Sequence, residues 1–167
     1  MKAAKLLLIG GVAMIATSCG TTKTYNIIPK SGTDTQGIVT FSQKGNEVTM
    51  VVNAYKLTPG AHAIHIHEKA DCSAEDATST GGHWNPSKND HGKWGIGHFH
   101  MGDIGNLMAK TDGTATLTFK TDKWCIGCKD ESKNILGKGL IIHAAEDDFK
   151  TQPTGNAGGR VGCVEIK

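Results

Sequence analysis

Aromatic residues are scarce in this chain, at 5% of 167 positions. No segment of helical length carries a sustained apolar period of 3.6 residues, which argues against a helical bundle. No internal repeat and no second domain boundary is visible. No His-Glu-x-x-His is present, which argues against a zincin protease. Glycine is plentiful instead, with 22 residues, about twice the usual share. That balance suits a turn-rich β protein, and the length suits one domain behind a targeting segment.

The chain opens Met1-Lys2-Ala3-Ala4-Lys5 and then runs apolar or small from Leu6 to Thr17. Lysines ahead of a short apolar run read as a signal peptide over residues 1–18. The run is too short to span a bilayer comfortably. It ends Ala16-Thr17-Ser18-Cys19-Gly20, which resembles a bacterial lipoprotein processing site. Cleavage there precedes Cys19, and Cys19 carries the lipid. Ordinary signal cleavage beside an incidental cysteine is the competing reading, and no better small-x-small site lies nearby. The expected address is a membrane-anchored lipoprotein of the bacterial envelope, periplasmic or surface-facing. Removing residues 1–18 takes Lys2 and Lys5 and no acidic residue, leaving 16 basic against 16 acidic groups. No nucleic-acid partner is expected of a neutral surface.

Residues 19–33 read as the lipidated cysteine and a flexible, polar tether. The folded domain is expected over 34–167. Strand signals dominate it. Residues 37–42 and 48–57 flank Lys44-Gly45-Asn46 as a hairpin. Residues 61–67, 114–120, 139–143 and 161–166 read as further strands. Two long regions, about 68–102 and 145–159, lack strand character, and loops of that length in a compact domain are usually functional. The fold class is all-β, a sandwich or barrel with two long functional loops.

Seven of the eight histidines, His62, His65, His67, His83, His91, His98 and His100, fall within 39 residues; the eighth is His143. A single histidine is usually structural or merely exposed. Such a cluster, interleaved with Gly and Asp, calls for metal. In a strand, residues i and i+2 share a face, so His65 and His67 can grip one ion. His91, His100 and Asp103 lie in the Gly-rich region beyond. Three imidazoles with a carboxylate are a typical closed zinc set. A mostly imidazole site with room for substrate suits copper. Cys72, Cys125, Cys128 and Cys163 remain if Cys19 is lipidated, and in an oxidising compartment they permit two disulfides in three connectivities.

Over roughly residues 35–167 the chain resembles the copper–zinc superoxide dismutases. The matching segments are Ala63-Ile-His-Ile-His-Glu68, Asp71-Cys-Ser73, Gly81-Gly-His-Trp-Asn-Pro86, His91-Gly92, His100-Met-Gly-Asp-Ile-Gly-Asn106, Ile141-Ile-His-Ala144, Asp147-Asp148 and Gly155-Asn-Ala-Gly-Gly-Arg-Val-Gly-Cys163. That family is a known β-sandwich example. The resemblance implies an eight-stranded Greek-key β-barrel and dismutation of superoxide to O2 and peroxide. It implies copper on His65, His67, His83 and His143, and zinc on His83, His91, His100 and Asp103. His83 would bridge the two metals. Asp147 would link a copper-side to a zinc-side histidine, Arg160 would guide the anion, and Cys72 would pair with Cys163.

The family's usual lysine two residues before the Gly-Asn-Ala segment is absent; that stretch reads Gln152-Pro153-Thr154. His62 is expected as a structural hydrogen-bonder and His98 as no ligand. Trp84 is expected to pack beside the bridge. Trp124-Cys-Ile-Gly-Cys128 allows a redox pair, a metal site or a local disulfide, and the last is favoured because no βαβ context accompanies it. The alternative to an enzyme is a periplasmic copper or zinc carrier on the same barrel. Monomer and homodimer are both left open.

Overall fold

A computed structural model describes residues 20–167. The expected signal peptide and Cys19 lie outside the described residues. The strands are β1 (Thr21–Asn26), β2 (Ile28–Pro29), β3 (Gln36–Lys44), β4 (Glu47–Tyr55), β5 (Gly60–His67), β6 (Asp103–Ala109), β7 (Ala115–Thr121), β8 (Gly139–His143) and β9 (Arg160–Glu165). All pairings are antiparallel, in the order β1-β3-β4-β7-β6-β5-β8-β9-β2. Eight full strands thus make the expected nearly closed barrel, and the two-residue β2 is an addition at its edge. The C-terminal carbonyl of Lys167 reaches across the remaining gap, accepting from Tyr25 Oη and, at 3.0 Å, from Lys23 Nζ.

The core follows from strand alternation. Val39 and Phe41 of β3 and Val48, Met50 and Val52 of β4 are fully buried. Their neighbours in sequence face outward. Gly45, at φ 60°, closes the β3–β4 turn in a conformation that glycine adopts without penalty.

Three features differ from the sequence expectations. The tether over 19–33 is not free chain in its described part: β1 pairs with β3 from Thr21–Gln43 to Asn26–Ile38, and β2 pairs with β9. Its polar side chains suit an edge strand, and the main chain supplies the bonds. The strand β6 was not expected, because Asp103-Ile-Gly-Asn-Leu-Met-Ala does not alternate cleanly. A third long connection, 122–138, joins the two long loops at 68–102 and 144–159. Among the described residues no helix is long and apolar enough to cross a membrane.

Candidate metal centre

The site grows from β5. Ile64 and Ile66 point into the core, so His65 and His67 point out of the barrel. Both histidines are nevertheless fully buried. The long loop after β5 covers them. Trp84 N and Gly102 N form bonds to Ile66 O and Trp84 O, and Ile66 N donates to Gly102 O, stitching two parts of that loop to the strand. Gly102 permits this approach: a Cβ there would lie 2.1 Å from Ile66 O. The stitching sets His83 opposite His67 and carries His100 and Asp103 alongside. Strand β8 pairs with β5 and brings His143 from the other side.

Two buried clusters result: His65, His67, His83 and His143, and His83, His91, His100 and Asp103, each with ligand atoms within 4.8 Å of one another. In the first, one nitrogen of each ring is already engaged. His65 Nε2 meets Asp147 Oδ2 at 2.8 Å, His67 Nδ1 meets Gly81 O at 3.0 Å, and His83 Nδ1 meets Asp103 Oδ1 at 2.8 Å. His143 Nδ1 lies 3.4 Å from Gly158 O. The sibling nitrogens, His65 Nδ1, His67 Nε2, His83 Nε2 and His143 Nε2, are buried and have no partner. A buried polar atom without a partner is costly. Four of them grouped together fit a cation, and an all-imidazole donor set fits copper.

The second cluster is built around Asp103. His91 Nδ1 lies 3.0 Å from Asp103 Oδ2 without hydrogen-bond geometry, and His100 Nδ1 lies 3.2 Å from Asp103 Oδ1. The far nitrogens point away: His91 Nε2 meets Asp147 Oδ1 at 2.9 Å and His100 Nε2 meets Asn89 O at 3.1 Å. This donor set fits zinc. Asp147 therefore spans both clusters through His65 and His91, fixing both rings as such outer acceptors do. Gly155 lies against that contact, where a Cβ would come within 2.0 Å of Asp147 Oδ1.

Burial sets the electrostatics. It holds His67 and His143 well below the ordinary imidazole range, with neighbouring rings adding to the effect. Burial also takes His83 down to about 4 against the pull of Asp103. For His91, burial is outweighed by Asp103 and Asp147 together, and its value rises to about 9. The two carboxylates sit well below their usual range, because bonds from the histidines outweigh their burial.

Arg160 is half-buried. Its Nη1 donates to Ala77 O at 2.7 Å and Thr80 Oγ1 at 2.8 Å, and its Nη2 to Gly81 O at 2.9 Å. Cys72 is bonded to Cys163, and Cys125 to Cys128. His62 lies outside both clusters, with Nδ1 2.7 Å from His143 O and Nε2 2.8 Å from Thr58 O. His98 is exposed. Sequence reasoning passed over Lys30, which is buried and donates from Nζ to Cys72 O and Ala74 O. It also gave no role to Asn85, Asn106 and Gln152, which bond mainly to main chain near the clusters.

The family model described as copper/zinc superoxide dismutase matches residues 35–166. An extracellular superoxide dismutase [Cu-Zn] of Drosophila melanogaster is 34% identical over 178 aligned positions, covering 95% of this chain and 96% of that protein. Among solved structures, a double mutant of a SOD-like protein from Bacillus subtilis superposes with a TM-score of 0.75 at 32% identity, covering 86% of this chain and 95% of that one. With barrel, clusters and matches in agreement, the chain belongs to the copper/zinc superoxide dismutase family.

Proposed function

We propose that the chain dismutes superoxide with copper held by His65, His67, His83 and His143 and zinc held by His83, His91, His100 and Asp103. The observation that carries this is the group of four buried, partnerless ring nitrogens whose sibling nitrogens are all engaged. Bound copper supplies a one-electron couple that takes an electron from one superoxide and returns it to another, while bound zinc supplies fixed charge without redox chemistry. His83 turns Nε2 to the first cluster and Nδ1 to the second, so Nε2 would either hold copper or, when not bound to it, take up a proton and carry it to the reacting anion. Arg160 stays protonated and holds a positive charge beside His67 and His143, where it draws in and orients the anion. A metal carrier has no need of such a cation, so Arg160 favours the enzyme.

The matched fly protein is named extracellular, and two disulfides suit an oxidising compartment. Export fits both, with a signal peptide over 1–18 and a lipid on Cys19 that holds the domain at a bacterial envelope membrane. Pairing of two copies as a homodimer is tested by sedimentation of the domain freed from its lipid.

Metal analysis of two variants tests the assignment. His143→Ala should lose copper and dismutation and keep zinc. His100→Ala should lose zinc first. Equal loss of both metals from both variants would contradict the division of ligands.

A further inference from the structure

Three carboxamides around the zinc-side cluster make the same contact. Each grips a single residue's main chain at two points, accepting from its N–H and donating to its C=O. Asn85 Oδ1 accepts from Asn89 N at 3.1 Å, and Asn85 Nδ2 donates to Asn89 O at 2.8 Å. Asn106 Oδ1 accepts from Asp147 N at 2.8 Å, and Asn106 Nδ2 donates to Asp147 O at 3.0 Å. Gln152 Oε1 accepts from His91 N at 2.8 Å, and Gln152 Nε2 donates to His91 O at 2.9 Å.

The gripped residues are not scattered. Asn89 O faces His100 Nε2, and Asp147 faces His65 Nε2 and His91 Nε2. His91 is itself one of the clustered side chains. All three gripped residues lie in loops outside any strand, so no sheet ladder fixes their peptides; the peptides that follow His91 and Asp147 are held in addition by Gly92 N donating to Asp103 Oδ2 at 3.1 Å and Asp148 N donating to Gly155 O at 3.0 Å. A carboxamide is the one neutral side chain with a donor and an acceptor spaced to match a residue's C=O and N–H. Each clamp therefore fixes a residue that carries or aims clustered imidazoles: Asn89 aims His100, Asp147 aims His65 and His91, and His91 carries its own ring.

We propose that Gln152 is a positioning residue for zinc, holding the His91 main chain so that its ring nitrogen Nδ1 stays directed at the ion. Asn85 and Asn106 act in the same way on His100 and on the Asp147 link. Gln152 differs from the other two in joining two separate loops, since it comes from the 144–159 connection and His91 from 68–102. It is thus the latch between the loop that carries the zinc-side histidines and the loop that leads to Arg160. The inference rests on the zinc assignment above.

The test uses the copper- and zinc-loaded protein challenged with a chromogenic zinc chelator, with the release of each metal followed separately. Gln152 is exposed, so substitution there leaves the core intact. Gln152→Ala should release zinc about tenfold faster, the scale typical of lost outer partners, with copper release and the metal-free Tm unchanged. Gln152→Glu keeps the acceptor for His91 N and loses the donor to His91 O, and its zinc release should fall between the two. Unchanged zinc release in Gln152→Ala would overturn the proposal. So would equal acceleration of both metals with a lower metal-free Tm, which marks general loosening, or a Gln152→Glu rate equal to that of Gln152→Ala. A wild-type protein that retains no zinc would instead overturn the zinc assignment itself, so the two failures are distinct.

Discussion

The four copper-side imidazoles are held by one nitrogen so that the other stays free, and this division has consequences for the metal-free chain. His91, raised to about 9, gains its partners on folding. Its contribution to stability is complete below the unfolded value of about 6.5 and is lost as pH rises through about 9. His83 runs the other way. With a folded value of about 4, it favours the unfolded chain increasingly as pH falls from about 6.5 to 4. His67 and His143 act in the same direction as His83. Thermal unfolding of the metal-free protein should therefore peak near pH 6.5 and fall on both sides. A Tm that rises steadily from pH 6 to 9 would contradict this. Arg160→Ala should lower the dismutation rate by about tenfold or more and flatten its salt dependence, with both metals still bound. Field focusing of that size is known for this family. An unchanged rate and salt profile would show that Arg160 does not guide the anion. The two clusters were legible because His65-Ile66-His67 obeys strand periodicity and the other histidines stand in recognisable order. The carboxamide clamps were not, because a side chain that bonds to main chain leaves no pattern in residue type.

At the scale of elements, two disulfides differ in what they close. Cys72–Cys163 spans 91 residues and Cys125–Cys128 spans three. Loop-closure entropy puts the first near 4–5 kcal/mol and the second near about 2 kcal/mol. Replacing Cys72 and Cys163 by Ser should lower the Tm far more than replacing Cys125 and Cys128 in the same way. Comparable losses would mean that the short link does more than close its turn. Its setting is tied to the centre: Trp124 is buried, packs against Trp94 and Phe119, and donates from Nε1 to Met101 O at 3.0 Å. Hairpins such as β3–β4 were readable from alternation around Gly45. The edge strand β1 was not, since Thr21-Thr-Lys-Thr-Tyr-Asn26 buries little and gains its order from main-chain bonds to β3. Strand β6 escaped for another reason. Its face toward the loops carries Asp103 and Gly105, which serve the site rather than a sheet pattern.

For the molecule as a whole, a nearly closed barrel supplies a rigid wall, and two loops folded back on its outer face supply the burial that a wall alone lacks. His65 and His67 would be surface residues without them. The formal charge of residues 19–167 is zero, since basic and acidic groups both number 16. Attraction of an anion must then come from where charge is placed, which puts the weight on Arg160. The central claim is that these two clusters make a copper–zinc dismutase. The most direct measurement is the superoxide dismutation rate of the purified domain over residues 20–167, with copper and zinc determined on the same sample. The account predicts rapid dismutation at about one copper and one zinc per chain, lost on chelation and restored by copper but not by zinc alone. Full occupancy of both sites without dismutation would contradict it.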